Sequence, residues 1–463
     1  MLTYSMEDRG GLPLYEYLYR RIRGDILSGI LAAGERLPSK RSLAEHLDVS
    51  VITVEGAYQQ LEAEGYVYAL PKRGFFVSPV DQAPRAVPAP APLPDAPAPP
   101  AWRLDLKRNQ VDVSRFPLST WARLTRQVLS EGGEALLSPI PHQGLPALRQ
   151  AIAGDLRQRK GMAVSPEQIV VGAGAEYLYL LLAQLLGRDA VLAVEDPGYP
   201  KIRQVYDTCG AVCRPVPLDR HGIDLSALRA SGASAVHLSP SHHYPTGLVT
   251  PIARRQALLR WAEESGGVII EDDYDSEFRF TGRPLPTLQS IDTMERVIYM
   301  NTFSQTISPA MRMGFMVLPP RLLARYRAEL GFYACTVPAL DQEVLARFLA
   351  GGYYEQHLSR MRKEYRLRRD RVLEAFRSSA FADRITIQEQ GAGLHFLLKL
   401  DTARSDEDLR RRGKALSVRL NFLSEYAAVP QPGQSHTLVV NYAGLDSARL
   451  PEVMDLLAAV LEE

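Results

Sequence analysis

Between Pro79 and Ala101 the chain reads PVDQAPRAVPAPAPLPDAPAPPA. Proline and alanine dominate, no apolar periodicity runs through the stretch, and each proline fixes φ and removes a backbone donor. Such a segment cannot build a core. It favours an extended, semi-rigid chain of roughly 3.1 Å per residue. The seam predicts two separately folded parts, residues 1–78 and 104–463, tethered by residues 79–103. A passive tether is one reading, and a spacer whose reach sets how two copies cross in a dimer is the other. A length of 463 residues suits this division.

Composition removes several classes. Hydrophobic residues make up 46% of the chain and charged residues 23%, a globular balance. A net charge of +1 leaves no overall basic excess to argue for nucleic acid. The longest apolar run, Tyr177 to Leu186, is about half the ~20 residues that span a bilayer, and reads as a buried helix. No membrane segment is expected. The start, MLTYSMEDRGG, lacks the pattern of a signal peptide. Cys209, Cys213 and Cys335 form no CxxC pair and predict reduced, buried thiols in a cytoplasmic protein.

In the first part, Leu14, Leu18, Ile22 and Ile26 stand four apart, a helical stripe closed by Gly29. Ser39 is placed to cap a second helix that buries Leu43, Ala44 and Leu47. A turn follows at Asp48–Val49. Ser50 caps a third helix with Val54, Tyr58 and Leu61 inward, and YVYALPKRGFFVSP alternates like a hairpin with Lys72, Arg73 and Gly74 at its tip. This order predicts a winged helix-turn-helix whose third helix enters a major groove. The amino end of that helix suits a phosphate.

Acidic and basic residues nearly balance in this part, so placement carries the argument. Arg36, Lys40 and Arg41 lead into the second helix, and Lys72 and Arg73 crown the wing. Phosphate contacts need local charge at the docking face, not net charge. One charge run at a helix end is usually a solvated face; two flanking one recognition helix favour double-stranded DNA. Through GERLPSKRSLAEHLDVSVITVEGAYQQLEAEGYVYALPKRGFFV the segment resembles the GntR family of bacterial regulators. The family commonly places Arg or Lys where Val51 stands, so operator sequence and affinity do not carry over. Ser50, Thr53, Lys72 and Arg73 remain contact candidates.

After Leu104, short apolar runs alternate with amphipathic helices, and strand after strand ends in polar loops. The pattern predicts an α/β fold with a parallel sheet and a ligand along its carboxyl edge. The ordered set EDPGYP, SPSHHYPTG, IIEDDYDSEF and NTFSQTISPAMRMG resembles the fold-type I aminotransferases, which use pyridoxal phosphate. With the DNA-binding part in front, the whole chain resembles the MocR/GabR subgroup of GntR regulators.

Gly172 to Ala175 form a glycine turn opening a helix, where Gly174 and Ala175 can offer N–H groups to a phosphate. Arg312 can grip that phosphate bidentately, with hydroxyls from Thr302 and Ser304. The resemblance implies that Tyr199 stacks on the cofactor ring, that Asp272 faces the pyridine nitrogen, and that Tyr274 bonds the ring oxygen. Two plainer readings of EDDYDSEF stay open, an acidic loop capping a helix and a metal site of Glu271, Asp272, Asp273 and Asp275. No histidine stands beside those carboxylates in the sequence, and no metal is expected. Tyr244 replaces the asparagine usual in catalytic members.

Gln305 occupies the position of the lysine that joins the cofactor covalently and shuttles the substrate proton. An amide is neither nucleophilic nor basic near neutral pH, and loss of the base alone costs about 10²–10⁴ in rate. Transamination is therefore not expected, and no catalytic residue is assigned. Lys201 is the nearest substitute by motif but lies on a different loop. The expectation is a homodimeric regulator that senses pyridoxal phosphate, or its adduct with an amino acid or amine, non-covalently. Two alternatives stand: a regulator with a repurposed pocket, and an enzyme with an appended DNA-binding module. The basic row Arg360 to Arg371 reads as a solvated helix joining two lobes, or as an extension of the DNA footprint.

Overall fold

Helix periodicity decides the first unit of this computed structural model, which describes residues 2–81, 100–108, 111–280, 285–388, 391–429 and 433–462. Three helices, α1 (Leu14–Leu27), α2 (Lys40–Leu47) and α3 (Val51–Ala63), precede a hairpin of β1 (Val67–Leu70) and β2 (Gly74–Val77). Leu18, Ile22 and Ile26 are buried as the stripe requires, but Leu14 is only half-buried and Tyr17 joins the core instead. Ser39 Oγ accepts the Ser42 N–H and Ser50 Oγ the Thr53 N–H, each at 3.1 Å. These caps satisfy donors that helix starts leave orphaned. Between them Asp48 takes the left-handed conformation, φ 51°, and turns the chain. Val54, Tyr58 and Leu61 are fully buried, and Tyr58 donates to the Pro38 carbonyl at 3.0 Å.

The chain divides between Pro99 and Pro100 into two compact units. Most of the expected tether, residues 82–99, lies outside the described residues.

The second unit centres on an eight-stranded sheet. Its order is Ile169–Gly172, Gly314–Val317, Val297–Thr302, Val268–Asp272, Ala235–Leu238, Val191–Asp196, Val212–Asp219 and Gly222–Ile223. The five strands from Val297–Thr302 to Val212–Asp219 pair in parallel. Gly314–Val317 runs antiparallel to both its neighbours. Every residue of Val268–Asp272 and Val297–Thr302 is buried, apolar at the amino end and polar at the carboxyl end, as expected when helices cover both faces.

A smaller lobe packs around an antiparallel sheet of Ile385–Gln388, His395–Leu400 and Thr437–Asn441. The long helix Tyr353–Arg377 joins the two lobes. Tyr354 and Leu358 belong to a large-lobe core, while Met361, Tyr365, Val372 and Phe376 belong to the small-lobe core. Three members of its basic row are engaged internally: Arg368 meets Asp112 at 2.6 Å, Arg362 donates to the Glu277 carbonyl at 2.9 Å, and Arg369 lies over the Phe280 ring, while Arg360, Lys363 and Arg371 are exposed. These partners fit the lobe-joining expectation. The three cysteines are free but only partly buried, a correction to the expectation of buried thiols.

All three tryptophans, Trp102, Trp121 and Trp261, lie in the second unit. Leu61→Ala removes a fully buried side chain from the first and should cost about 2–5 kcal/mol there. In urea titrations, part of the helical circular dichroism should be lost at lower denaturant while the tryptophan fluorescence midpoint stays put. A shift of both signals together would show that the units unfold as one.

Candidate functional site

Register places the carboxyl ends of the sheet strands side by side. Asp272 lies opposite Met300, Thr302 opposite Gly314, and Gly314 opposite Gly172. The loops that follow enclose a cavity of about 370 Å³ lined by Ala175, Tyr199, Asp272, Tyr274, Thr302, Ser304, Gln305 and Arg312. Sequence motifs spread over 138 positions thus converge on one wall. Gly174 is not itself on the wall. It caps the helix Ala175–Leu186 at φ 87°, and a Cβ there would stand 2.9 Å from Arg312 Nη2. The positive φ calls for glycine, while the flexible arginine tip could swing aside.

One end of the cavity is acidic and well ordered by its neighbours. Asp272 Oδ2 accepts from Tyr179 Oη at 2.5 Å and lies 3.4 Å from His237 Nε2. His237 Nδ1 in turn meets Tyr206 Oη at 2.8 Å. Burial, with Asp272 beside it, pushes the Tyr179 hydroxyl well above its usual pKa, so it stays a donor. Asp272 Oδ1 has no hydrogen-bond partner among the described residues, which leaves one carboxylate oxygen for a ring N–H.

Glu195 lines the same end. Burial pushes it up to about 8 against the Ser239 N–H, and burial pushes His243 down to about 3. Their 3.4 Å contact is therefore between neutral groups near pH 7, not an ion pair.

The opposite end is cationic but occupied from within. Arg312 Nη2 meets Glu176 Oε2 at 2.7 Å, and Lys201 Nζ meets Glu176 Oε1 at 3.1 Å. Burial opposes ionisation of Glu176, yet Arg312, its own amide N–H and Lys201 together hold it down to about 2. The substitute lysine considered from sequence is thus ion-paired at the cavity mouth. Between the two ends lies Gln305, in the turn after Val297–Thr302. Its Oε1 is buried without a hydrogen-bond partner among the described residues. Tyr354 Oη and His357 Nε2 reach Thr306 at 3.0 and 2.8 Å and fix this turn.

Tyr199 is 39% exposed, and its ring stands edge-on to Tyr244 at 6.0 Å. Tyr244 itself is buried and its hydroxyl meets Tyr426 of the small lobe at 2.9 Å. The tyrosine at the asparagine position thus braces the lobes. Tyr179, His237, Glu195, His243 and Tyr426 were not singled out from sequence, because each comes to the cavity through pairing with distant residues. Two plainer readings of the acidic loop are corrected. Its carboxylates are buried against separate partners instead of capping a helix or converging on one point. Two histidines do stand near it: His242, Asp275 and His395 bring donor atoms within 4.8 Å of one another. Their sequence separation hid this.

In the first unit, Arg41, Lys72 and Arg73 are exposed, and Lys72 adopts φ 59° at the wing tip. Arg36 bridges to Phe76 and its guanidinium lies beside Gly74, next to the wing pair. Lys40 differs from expectation: it pairs with Glu55 at 2.6 Å, which offsets its charge. Ser50 Oγ contacts Thr53 Oγ1 at 2.9 Å as well as capping α3. Ile52 in the first turn of α3 is 78% exposed, an apolar side chain that sequence reasoning passed over.

Residues 103–457 match the family model described as aminotransferase class I and II, and residues 14–77 that of bacterial regulatory proteins, gntR family. The probable rhizopine catabolism regulatory protein MocR of Rhizobium meliloti is 33% identical over 95% of this chain and 92% of its own length. The HTH-type pyridoxine biosynthesis transcriptional regulator PdxR of Corynebacterium glutamicum is 35% identical over 83% of each chain. Among solved structures, the α-aminoadipate aminotransferase LysN of Thermus thermophilus, complexed with N-(5'-phosphopyridoxyl)-L-leucine, superposes with a TM-score of 0.66. It is 27% identical and covers 77% of this chain and 92% of that one.

Glu195 supplies a pH test. Its folded pKa lies above the unfolded value of about 4.3, so its contribution to stability is complete below that value and is lost as pH rises toward about 8. Glu195→Gln should therefore gain on the native chain by roughly 1–4 kcal/mol between pH 5 and pH 8. Urea midpoints of both proteins across that window check this. Parallel profiles would show that Glu195 is ionised.

Proposed function

The chain belongs to the aminotransferase class I and II family over residues 103–457 and, with its gntR-type segment, to the HTH-type transcriptional regulators with such a domain. From that premise we propose that it is a DNA-binding regulator whose aminotransferase-like domain binds pyridoxal phosphate, or its adduct with an amino acid or amine, without a covalent bond. One combination carries the reading: a cavity with a carboxylate at one end and an arginine beside a helix start at the other, and Gln305 between them. The residues fit the group. Asp272 Oδ1 is open to a ring N–H, Tyr274 to a ring oxygen, and Arg312, Thr302, Ser304 and the Gly174–Ala175 turn to a phosphate.

When bound, the cofactor supplies an electron-withdrawing ring. Gln305 offers it neither an amine to join nor a base to move a substrate proton. What remains is recognition, and recognition suffices for a regulator whose ligand binds two conformations unequally. Tyr199 covers one ring face in this reading, and Tyr244 with Tyr426 couples the cavity to the small lobe. Arg36, Arg41, Lys72 and Arg73 hold operator phosphates, while Ser50 and Thr53 start the helix that enters the groove. A homodimer would present two such helices to paired half-sites.

One observation favours a second reading, a pocket that has turned away from phosphate: Glu176 already engages both Arg312 and Lys201. Calorimetric titration with pyridoxal phosphate separates the two. Saturable binding without a visible band of a covalent lysine adduct supports sensing, and Gln305→Lys should gain that band, made permanent by borohydride. No binding by either protein would favour the repurposed pocket. A band in the native chain would implicate Lys201 and reopen the enzymatic reading.

The DNA half has its own check. The combined Lys72→Ala and Arg73→Ala variant should weaken operator binding similarly across sequences and reduce the slope of log K against log salt by about 1 per lost phosphate contact. An unchanged slope would remove the wing from the interface.

A further inference from the structure

Val51, Ile52 and Thr53 open α3, three β-branched residues in a row. That class lowers helix propensity slightly, so the helix itself does not favour it there. The core does not call for it either. Val54, Ala57, Tyr58 and Leu61 form the buried stripe, while Val51 is 42% and Ile52 78% exposed. At helical spacing the outward row of α3 runs Ile52, Glu55 and Gln59. A lone exposed isoleucine is ordinary on a protein surface, and its surroundings give this one its meaning.

Lys40 ties those surroundings into one face. Its Nζ meets Glu55 of α3 at 2.6 Å and lies 5.4 Å from the centre of the Phe75 ring in β2. The start of α2, the outward row of α3 and the wing strand are therefore contiguous. Arg41, next in the chain, is exposed there, and the segment matches the gntR-type regulators over residues 14–77. In the helix-turn-helix arrangement this row meets the major groove.

The row is short of polar readers. α3 carries neither lysine nor arginine, so the bidentate fork that reads guanine is absent from this helix. Lys40 is claimed by Glu55, and the Ser50 and Thr53 hydroxyls lie 2.9 Å from one another in the cap. The most exposed of the three opening side chains is Ile52. On the base edges of the major groove the apolar group is the C5-methyl of thymine. Laid over guanine, adenine or cytosine, an isoleucine would strip water from hydrogen-bonding groups and leave them unpaired. Laid over thymine it buries a methyl, and its branched Cβ restricts χ1 in a helix, so little rotamer freedom is lost.

We infer that Ile52, flanked by Val51, reads a thymine methyl in the major groove, so that α3 selects its site by apolar contact. The inference rests on the DNA-binding reading and adds to it a source of sequence preference. Arg36, Arg41, Lys72 and Arg73 hold phosphates, which positions the helix without reading bases.

The test uses the full chain, with and without pyridoxal phosphate, and duplexes enriched from a random pool. Each thymine of an enriched duplex is replaced in turn by deoxyuridine, which removes the methyl alone. At one position at least, affinity should fall about fourfold, the effect of burying one methyl-sized group. Ile52→Ala should bind both duplexes alike at that position, whereas Lys72→Ala should weaken both and keep their ratio. Ile52 is exposed, so its replacement spares the core, and an unchanged circular dichroism spectrum checks this. Binding without any enriched sequence, uracil tolerated at every position, or uracil effects that all survive Ile52→Ala would overturn the inference and leave DNA binding standing. Binding to no duplex would overturn it together with the reading it rests on.

Discussion

Five of the seven residues from Glu271 to Glu277 are carboxylates, and all five are buried. Placing that much acid inside a fold is costly unless each group finds a separate partner. Each does. Glu271 accepts from the amides of Leu288 and Gln289 beside the fully buried Arg255, and burial pushes it up to about 7. Asp272 turns to Tyr179 and His237. Asp273 takes Lys160 at 2.8 Å and Tyr299 at 2.7 Å. Asp275 takes His242, while Glu277 meets Arg159 and Lys160 at 3.4 and 3.5 Å. Removing one partner of such a pair typically costs about 3–5 kcal/mol. The segment is therefore pinned from several elements at once, and the cavity takes its shape from that pinning.

This explains what could be read from sequence. Helix starts were legible because a cap is a local event: Ser39 and Ser50 lie within three residues of the N–H groups they satisfy. The carboxyl-edge placement of Asp272 and Thr302 was legible because apolar strands ending in polar loops announce it. The dispersal of the acidic run was not legible. Its neighbours in space, Tyr179, His237, Lys160 and His395, lie 35 to 120 residues away in the chain, and no periodicity connects them. The Lys40 pairing was hidden for the same reason: a basic residue beside a recognition helix looks free until Glu55, one helix on, is seen to pair with it.

The two ends of the cavity differ in how firmly they are built. The carboxylate end is buried, and its partners are themselves hydrogen-bonded, so its geometry persists whether or not a ligand is present. The cationic end is half-exposed and balanced by Glu176, a contact that solvent screening weakens. An incoming phosphate meets a seat already filled by a single negative charge and must displace it. In the proposed reading, ring recognition would be preorganised and phosphate recognition competitive. A ligand holding both features gains more than the sum expected from either end alone, because the ring contacts are already in place when the phosphate competes with Glu176.

Gln305 sits between these ends without disturbing either. Neither the acidic network nor the Arg312–Glu176 pair uses residue 305, and its turn is fixed instead by Tyr354 and His357 through Thr306. A lysine at that position would add chemistry but no structural member. A glutamine there leaves the folding energetics of the site almost untouched, since the groups that are costly to unpair are elsewhere. Selection for a stable fold alone would preserve the acidic end. It would not by itself maintain Tyr199 partly exposed at the mouth, nor leave an open oxygen on Asp272. Those two features are the ones that a bound ring would use in the proposed reading.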